Sequence, residues 1–81
     1  MKAVVKFYKA GMVAVETAAG EYTVFELLGG YDVDVGDEFA GDLHSIGGET
    51  LYNTTKMERM DASIQATNCT KKNALILLNI I

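Results

Sequence analysis

Hydrophobic and polar residues alternate along three short segments near the start of the chain, residues 2–8, 12–17 and 22–28. A period of two is typical of strands that bury one face. The two connecting segments, 9–11 and 18–20, both end in glycine. Glycine readily adopts the left-handed backbone conformation that hairpin loops need. The pattern therefore predicts a three-stranded antiparallel meander joined by three-residue loops.

Two further strands are predicted in the second half of the chain. Gly36 and Asp37 form a turn signal before a fourth strand at about 38–43. The cleanest alternation in the chain predicts a fifth strand over 60–67, with an earlier start near Thr55 as the alternative. Residues 44–53 contain two adjacent glycines and no clear period. We therefore predict a loop between the fourth and fifth strands.

The C-terminal segment is predicted to form a short helix. Asn68 or Thr70 would cap it, and the helix would run through residues 74–78. Lys71 and Lys72 in the first turn oppose the helix dipole, and the isoleucines that follow suit a strand equally well. A sixth strand is therefore the alternative for this segment.

Residues 11–41, GMVAVETAAGEYTVFELLGGYDVDVGDEFAG, contain an apolar-x-apolar-Gly-Asp turn at 33–37. On this segment the chain resembles the small OB-fold barrels of the initiation-factor and S1-type RNA-binding class. The resemblance implies an all-β fold, a five-stranded OB-like barrel forming one domain over residues 1–81. An SH3-like barrel is the alternative, because Val-Gly-Asp turns also occur there. The chain also resembles small bacterial proteins of this type, and that membership would imply no activity.

The acidic balance of the chain argues against nucleic-acid binding. Eleven acidic and seven basic residues give a net charge of −4, whereas binding to polynucleotides draws mainly on Lys and Arg. OB domains that bind nucleic acid place aromatic and basic residues on the second and third strands. Here those strands carry Glu16, Glu21 and Glu26 and neither Lys nor Arg.

One basic stripe nevertheless suggests a site for single-stranded nucleic acid. A period of two in the first strand places Lys2, Lys6 and Tyr8 on one face, opposite an inward face of Ala3, Val5 and Phe7. Basic residues beside aromatic rings suit single-stranded nucleic acid, although lysines also protect sheet edges from aggregation. The candidate nucleic-acid residues are Lys2, Lys6, Tyr8, Lys9 and Tyr22.

The apolar tail over residues 74–81 suggests a protein interface. Together with Val4, Met12, Ala14 and Val24, which are predicted to face outward, it exceeds what one face of a barrel needs. The tail would either close the barrel or mediate contact with a protein partner or a homodimer. The interface candidates are Leu75, Ile76, Leu77, Leu78, Ile80 and Ile81.

The sequence predicts no catalytic residues, metal site or cofactor. The acidic residues of segment 32–42 lack the spacing of a calcium loop, and His44 and Cys69 are the only residues of their kinds. The tail is too short to span a membrane and the first residues do not suit a signal peptide, so we expect a cytoplasmic location. We predict a non-catalytic binding module that acts through protein contacts or self-association. A single-stranded RNA- or DNA-binding protein is the alternative.

Overall fold

A computed structural model describes residues 2–81, which form six strands and one helix. The elements are β1 (Lys2–Lys9), β2 (Met12–Thr17), β3 (Tyr22–Leu27), β4 (Glu38–Ala40), β5 (Gly47–Asn53), β6 (Glu58–Cys69) and α1 (Lys71–Leu77). The strands form a closed antiparallel barrel in the order β1-β2-β3-β6-β5-β4, and β4 pairs back with β1. The prediction of a small all-β barrel with a short C-terminal helix is confirmed, but the predicted count of five strands is wrong.

The additional strand is β5, which lies in the segment predicted to be a loop. It pairs with β6 along all seven of its residues. Its alternation is weak because the half-buried or buried positions are Gly47, Glu49, Leu51 and Asn53, of which only Leu51 is a large apolar residue. The strand is therefore defined by its backbone pairing with β6, and the pattern of its side chains does not predict it.

The bounds of the neighbouring strands also differ from the predictions. β4 spans three residues, Glu38–Ala40, whereas a strand over 38–43 was expected. β6 spans twelve residues, Glu58–Cys69, and extends beyond the predicted 60–67. One edge of β6 pairs with β5 over residues 58–64, and the other edge pairs with β3 over residues 62–69.

A bulge in β1 changes which of its side chains face inward. The register with β2 shifts between Val5 and Phe7, so that Phe7 lies opposite Ala14 and Tyr8 opposite Val13. An extra residue in one strand reverses the alternation beyond it. The prediction that Phe7 faces the core with Ala3 and Val5 is therefore wrong, because Phe7 packs on the outside of the barrel.

The first hairpin is tighter than predicted. Lys9 belongs to β1 and pairs with Met12, which leaves a loop of two residues, Ala10 and Gly11. Both have positive φ, 52° and 84°. Such a pair is typical of the type I′ turn, whose twist matches that of the two strands.

An inner core fills the barrel. It consists of Ala3, Val5, Val13, Val15, Phe25, Leu27, Val33, Phe39, Leu43, Leu51, Met60, Ala62 and Ile64. The rings of Phe25 and Phe39 meet edge to face with their centroids 5.2 Å apart. The turn at Asp34–Asp37, closed by a 3.0 Å hydrogen bond from the Asp37 N–H to the Asp34 carbonyl, leads into β4 as predicted.

A second cluster of apolar side chains, the outer cluster, lies outside the barrel beneath α1. Its members are Ala14, Tyr22, Val24, Ala74 and Leu78, with Phe7, Met12, Ala66 and Cys69 packed against them. The predicted helix is confirmed, with Thr70 as its N-cap: the Thr70 Oγ1 accepts a 3.1 Å hydrogen bond from the Asn73 N–H. The outward apolar residues on β2 and β3 are thereby covered by the chain's own helix.

Candidate functional site

The helix α1 ends in a well-formed cap that holds the residues after it in place. Asn79 has a φ of 59°, and its N–H bonds to the Ile76 carbonyl at 2.9 Å while the Ile80 N–H bonds to the Leu75 carbonyl at 3.0 Å. This pair of hydrogen bonds is the Schellman motif. The Lys9 Nζ also donates a 2.6 Å hydrogen bond to the Asn79 carbonyl, which attaches the end of the helix to β1.

The last turn of α1 and the residues that follow its cap carry an exposed apolar surface, which we call the outer helix face. It consists of Ile76, Leu77, Ile80 and Ile81, which are 43–65% exposed. Of the other two interface candidates, Leu78 is buried in the outer cluster and Leu75 is half-buried. The tail therefore divides into residues that close the fold and residues that remain available to a partner.

Charged side chains lie at both ends of the outer helix face. Lys72 precedes Ile76 by four residues and so lies on the same side of the helix. On β3, Glu26 is exposed and lies opposite Met12 in the pairing of β2 with β3. Met12 in turn lies opposite Lys9, whose side chain contacts the end of the helix. Lysines therefore lie at both ends of the helix, Lys72 in its first turn and Lys9 beside its C-terminal cap.

Among the nucleic-acid candidates, the structure places Tyr22 beneath α1. Its ring is 5% exposed and lies against Phe7, with the ring centroids 6.2 Å apart and the planes inclined by 27°. Burial raises the pKa of Tyr22, and the negative charge of Glu16 raises it further. Lys71 lies 5.8 Å above the Phe7 ring. In this arrangement the chain's own helix covers the aromatic rings on this face.

The other nucleic-acid candidates do not form a single stripe. Lys2 and Lys6 lie within 4.0 Å and 3.8 Å of Glu38 and Glu16 respectively. The bulge moves Tyr8 into register with the inward-facing Val13, at the end of the barrel. Lys9 lies at the opposite side, against the end of α1. Lys2 and Lys6 therefore face carboxylates, and Tyr8 lies apart from them at the end of the barrel.

A groove of about 600 Å³ at the end of the barrel was not anticipated from the sequence. Its lining includes both tyrosines of this region and several charged groups: Tyr8, Tyr31, Asp32, Asp34, Lys56 and Glu58. Tyr8 enters it only because of the bulge in β1, and Tyr31 is fixed there by a 3.2 Å hydrogen bond from the Asp61 N–H to its hydroxyl. The lining comes from three separate segments of the chain, Tyr8, residues 30–34 and residues 56–58, so no single local motif indicated the groove.

The carboxylate of Asp37 is buried and contacts Lys56, which lines this groove. Its Oδ2 accepts hydrogen bonds from the Asn53 side chain at 2.9 Å and the Asp34 N–H at 3.0 Å, and Lys56 Nζ lies 3.1 Å away. Burial alone would raise the pKa of Asp37, but the hydrogen bonds from Asn53, Asp34 and Lys56 lower it below its ordinary value. This network joins the start of β4 to the end of β5, so its evident role is structural.

Asp42 and Cys69 also have partners within the fold. Asp42 accepts hydrogen bonds from the Ser45 hydroxyl at 2.8 Å and the His44 N–H at 3.0 Å, and these bonds lower the pKa of Asp42. Partial burial raises the pKa of the Cys69 thiol. Within residues 2–81, no group of three or more His, Cys, Asp or Glu side chains is close enough together to hold a metal ion.

Comparison with protein-family models, with curated proteins and with solved structures finds no match for this chain. In the part of the chain that the structure describes, no helix has the length and apolar character needed to cross a membrane.

Proposed function

We propose that this protein is a non-catalytic binding module that docks another protein on its outer helix face. The observation that carries the proposal is the division of the C-terminal segment: Ala74 and Leu78 are buried against the barrel, while Ile76, Leu77 and Ile80 remain open. The outer helix face presents on the order of 400 Å² of apolar surface, a size at which patches commonly mark interaction sites. A helix that served only to close the barrel would not need apolar residues on both sides.

Site-specific photo-cross-linking tests this proposal. A photo-reactive amino acid placed at Leu77 should form adducts with a protein partner, whereas the same amino acid at Ile46, which is 65% exposed on the barrel, should not. The additional substitution Ile76→Lys should abolish the adducts, because a charge would then be desolvated on docking. Lysine is a good helix former, so circular dichroism should show that this variant keeps its fold. Equal yields at positions 77 and 46 would reject the outer helix face as a docking site.

We also propose a more specific class for the barrel. The strand order β1-β2-β3-β6-β5-β4 is compatible with an OB-like barrel that carries one additional strand. On that ground we propose that the protein is related to the initiation-factor and S1-type class. A bacterial source and a cytoplasmic location remain predictions. Cell fractionation of the expressed protein would test the location.

Binding of single-stranded RNA or DNA is the alternative function. It is supported by three lysines on or beside α1: Lys9, Lys71 and Lys72. Lys9 and Lys71 are held there by their contacts with Asn79 and Phe7. The alternative predicts an affinity for a mixed oligonucleotide pool that falls with added salt and falls further in Lys6→Glu. Absence of binding at low salt would reject it.

A further inference from the structure

We infer that the groove at the end of the barrel binds an organic cation, an ammonium or guanidinium group carried on a flexible chain. The groove shares no residue with the outer helix face, so this binding site goes beyond the proposed docking function. The inference follows from the two tyrosine rings that line the groove, from its excess of carboxylates and from its size.

Two tyrosine rings from different parts of the chain line the groove. The bulge in β1 places Tyr8 at the barrel end, where the residue is 38% exposed. Tyr31 packs against the inner core, and its hydroxyl accepts a 3.2 Å hydrogen bond from the Asp61 N–H. The Tyr31 ring lies so close to Gly29 that a Cβ there would be 2.9 Å from Tyr31 Cε2. An aromatic ring attracts a cation placed over its face, so these rings favour a positively charged ligand.

The groove contains more carboxylates than amines. Lys56 is the one cation among its lining residues, and its Nζ lies 2.6 Å from Asp34 Oδ2 and 3.1 Å from Asp37 Oδ2. The hydrogen bonds to Asp34 and Asp37 raise the pKa of Lys56, so its ammonium group stays charged and engaged with them. Asp32 and Glu58 are exposed, and neither forms an ion pair with a side chain of residues 2–81. The groove is therefore negatively charged, which complements a cation.

The size of the groove favours an organic cation over a metal ion. Its volume of about 600 Å³ lies within the range of sites that enclose small molecules, about 300–1,000 Å³. A metal ion needs several ligand atoms within a short coordination distance, and within residues 2–81 no three His, Cys, Asp or Glu side chains are grouped that closely. An ammonium or guanidinium group on a flexible chain can contact rings and carboxylates that lie farther apart.

Two sources present this chemistry, a free polyamine and a basic side chain of a polypeptide. Spermidine is the probe for the first source, and N-acetylarginine amide is the probe for the second. Each is added to the isotope-labelled full chain while two-dimensional proton–nitrogen NMR spectra are recorded. At least one probe should cause saturable shifts of the amides in residues 30–34 and 56–58. N-acetylcitrulline amide, which is uncharged and nearly identical in shape to the arginine probe, should cause no such shifts.

Substitutions identify the groups that hold the cation. Asp32→Asn and Glu58→Gln should each weaken binding about 2- to 5-fold, because each removes one exposed charge pair. Tyr8→Leu should weaken binding about 2- to 5-fold, whereas Tyr8→Phe keeps the ring and should bind like the wild type. Glu26→Gln, at an exposed position on β3, changes the net charge as Asp32→Asn does and should leave the affinity unchanged. The same spectra report whether each variant remains folded.

The possible results either support the inference or overturn it. Saturable shifts confined to the groove support it: binding of spermidine alone assigns a free amine, and binding of N-acetylarginine amide alone assigns a basic side chain. Equal binding of N-acetylcitrulline amide would overturn it, because charge would then not be recognised. An affinity that Glu26→Gln lowers as much as Asp32→Asn would also overturn it, since this would mark a general attraction of cations to an acidic chain. Absence of saturable shifts with both probes would have the same consequence. None of these results depends on the adducts at position 77, so the groove and the outer helix face are tested separately.

Discussion

The inner core and the outer cluster contain similar aliphatic and aromatic side chains, but they are enclosed in different ways. The inner core is surrounded by six strands whose ladder of backbone hydrogen bonds closes on itself through β1 and β4. The outer cluster is covered by one helix of seven residues and its C-cap, which contribute two buried side chains, Ala74 on the helix and Leu78 at the cap. The first enclosure can open only if strands separate, whereas the second can open if a single short element detaches.

Because the two regions are enclosed differently, burial by itself does not define the stability of a region. Phe39 and Ala74 are both fully buried, yet the free energy needed to expose them should differ. Elements with few buried contacts open locally at a lower free energy than the whole domain does. We therefore expect the helix to be the less stable part of the molecule, and the four predictions that follow test this comparison.

Truncation of the inner core should have the largest effect. Phe39→Ala removes a fully buried ring that meets Phe25 edge to face, and should lower the free energy of unfolding by about 3–5 kcal/mol. Urea denaturation followed by circular dichroism would measure this. Val35→Ala, at a position 66% exposed, is the matched control and should change stability little. A loss below 1 kcal/mol in Phe39→Ala would contradict the view that the inner core dominates stability.

Truncation of the outer cluster should detach the helix and leave the barrel folded. Leu78→Ala removes a side chain that is 3% exposed, which in an enclosed core would cost about 2–5 kcal/mol. Here the loss cannot exceed the free energy that holds α1 on the barrel. Hydrogen exchange should show faster exchange for the amides of α1 and unchanged protection in β2 and β3. Leu77→Ala, on the exposed side, serves as the control. Parallel loss of protection in helix and barrel would show that the two regions unfold as one unit.

The Asp37 network should contribute to the barrel and not to the helix. Asp37→Asn removes the charge that faces Lys56 3.1 Å away and should lower the free energy of unfolding by about 1–3 kcal/mol at neutral pH. Because the pKa of folded Asp37 is lowered from 3.8, its contribution is present above that pH and is lost as the pH falls towards the folded value.

Unfolding curves at several pH values would measure this contribution. The stability difference between wild type and Asp37→Asn should shrink in acid. A difference that stays constant from neutral pH to pH 2 would show that the ionised form of Asp37 has no special role.

Removal of the helix cap should have the smallest effect and should be confined to the outer cluster. Thr70→Ala removes the oxygen that accepts from the Asn73 N–H at 3.1 Å, which typically costs about 1 kcal/mol of helix stability. Exchange of the α1 amides should accelerate, while the midpoint of barrel unfolding should stay nearly constant. Thr70→Ser retains the hydroxyl and should behave like the wild type. Equal acceleration in both variants would assign the effect to packing of the Thr70 methyl group.

Much of the barrel could be predicted from local patterns. The alternation around Val13, Val15, Phe25 and Ile64 marks strands whose inner faces are strongly apolar, and such strands are visible in the sequence because burial demands hydrophobic side chains at every second position. The strand β5 could not be predicted, because Leu51 is the one large apolar residue among its inward positions. Its partner β6, rather than its own composition, defines it.

The candidate site was predicted only in part. The apolar tail was recognised as both a closing element and an interface, but the split between buried Leu78 and exposed Ile76 follows from the position of α1 on the barrel. Tyr8 and Tyr22 were predicted as surface aromatics for nucleic acid. The bulge at Lys6 carries Tyr8 to the barrel end, and the helix covers Tyr22.

Local sequence patterns predicted the class of the fold, the positions of most turns and a C-terminal helix, for which a strand was the alternative. These properties depend on backbone preferences and on periodicity over neighbouring residues, which are local. Four features could be established only from the folded molecule: the sixth strand, the inversion of Phe7, the Asp37 network and the face of α1 that remains open. Each of these depends on pairing between residues distant in the chain, and a shift of one residue in register moves a side chain from one face of the sheet to the other.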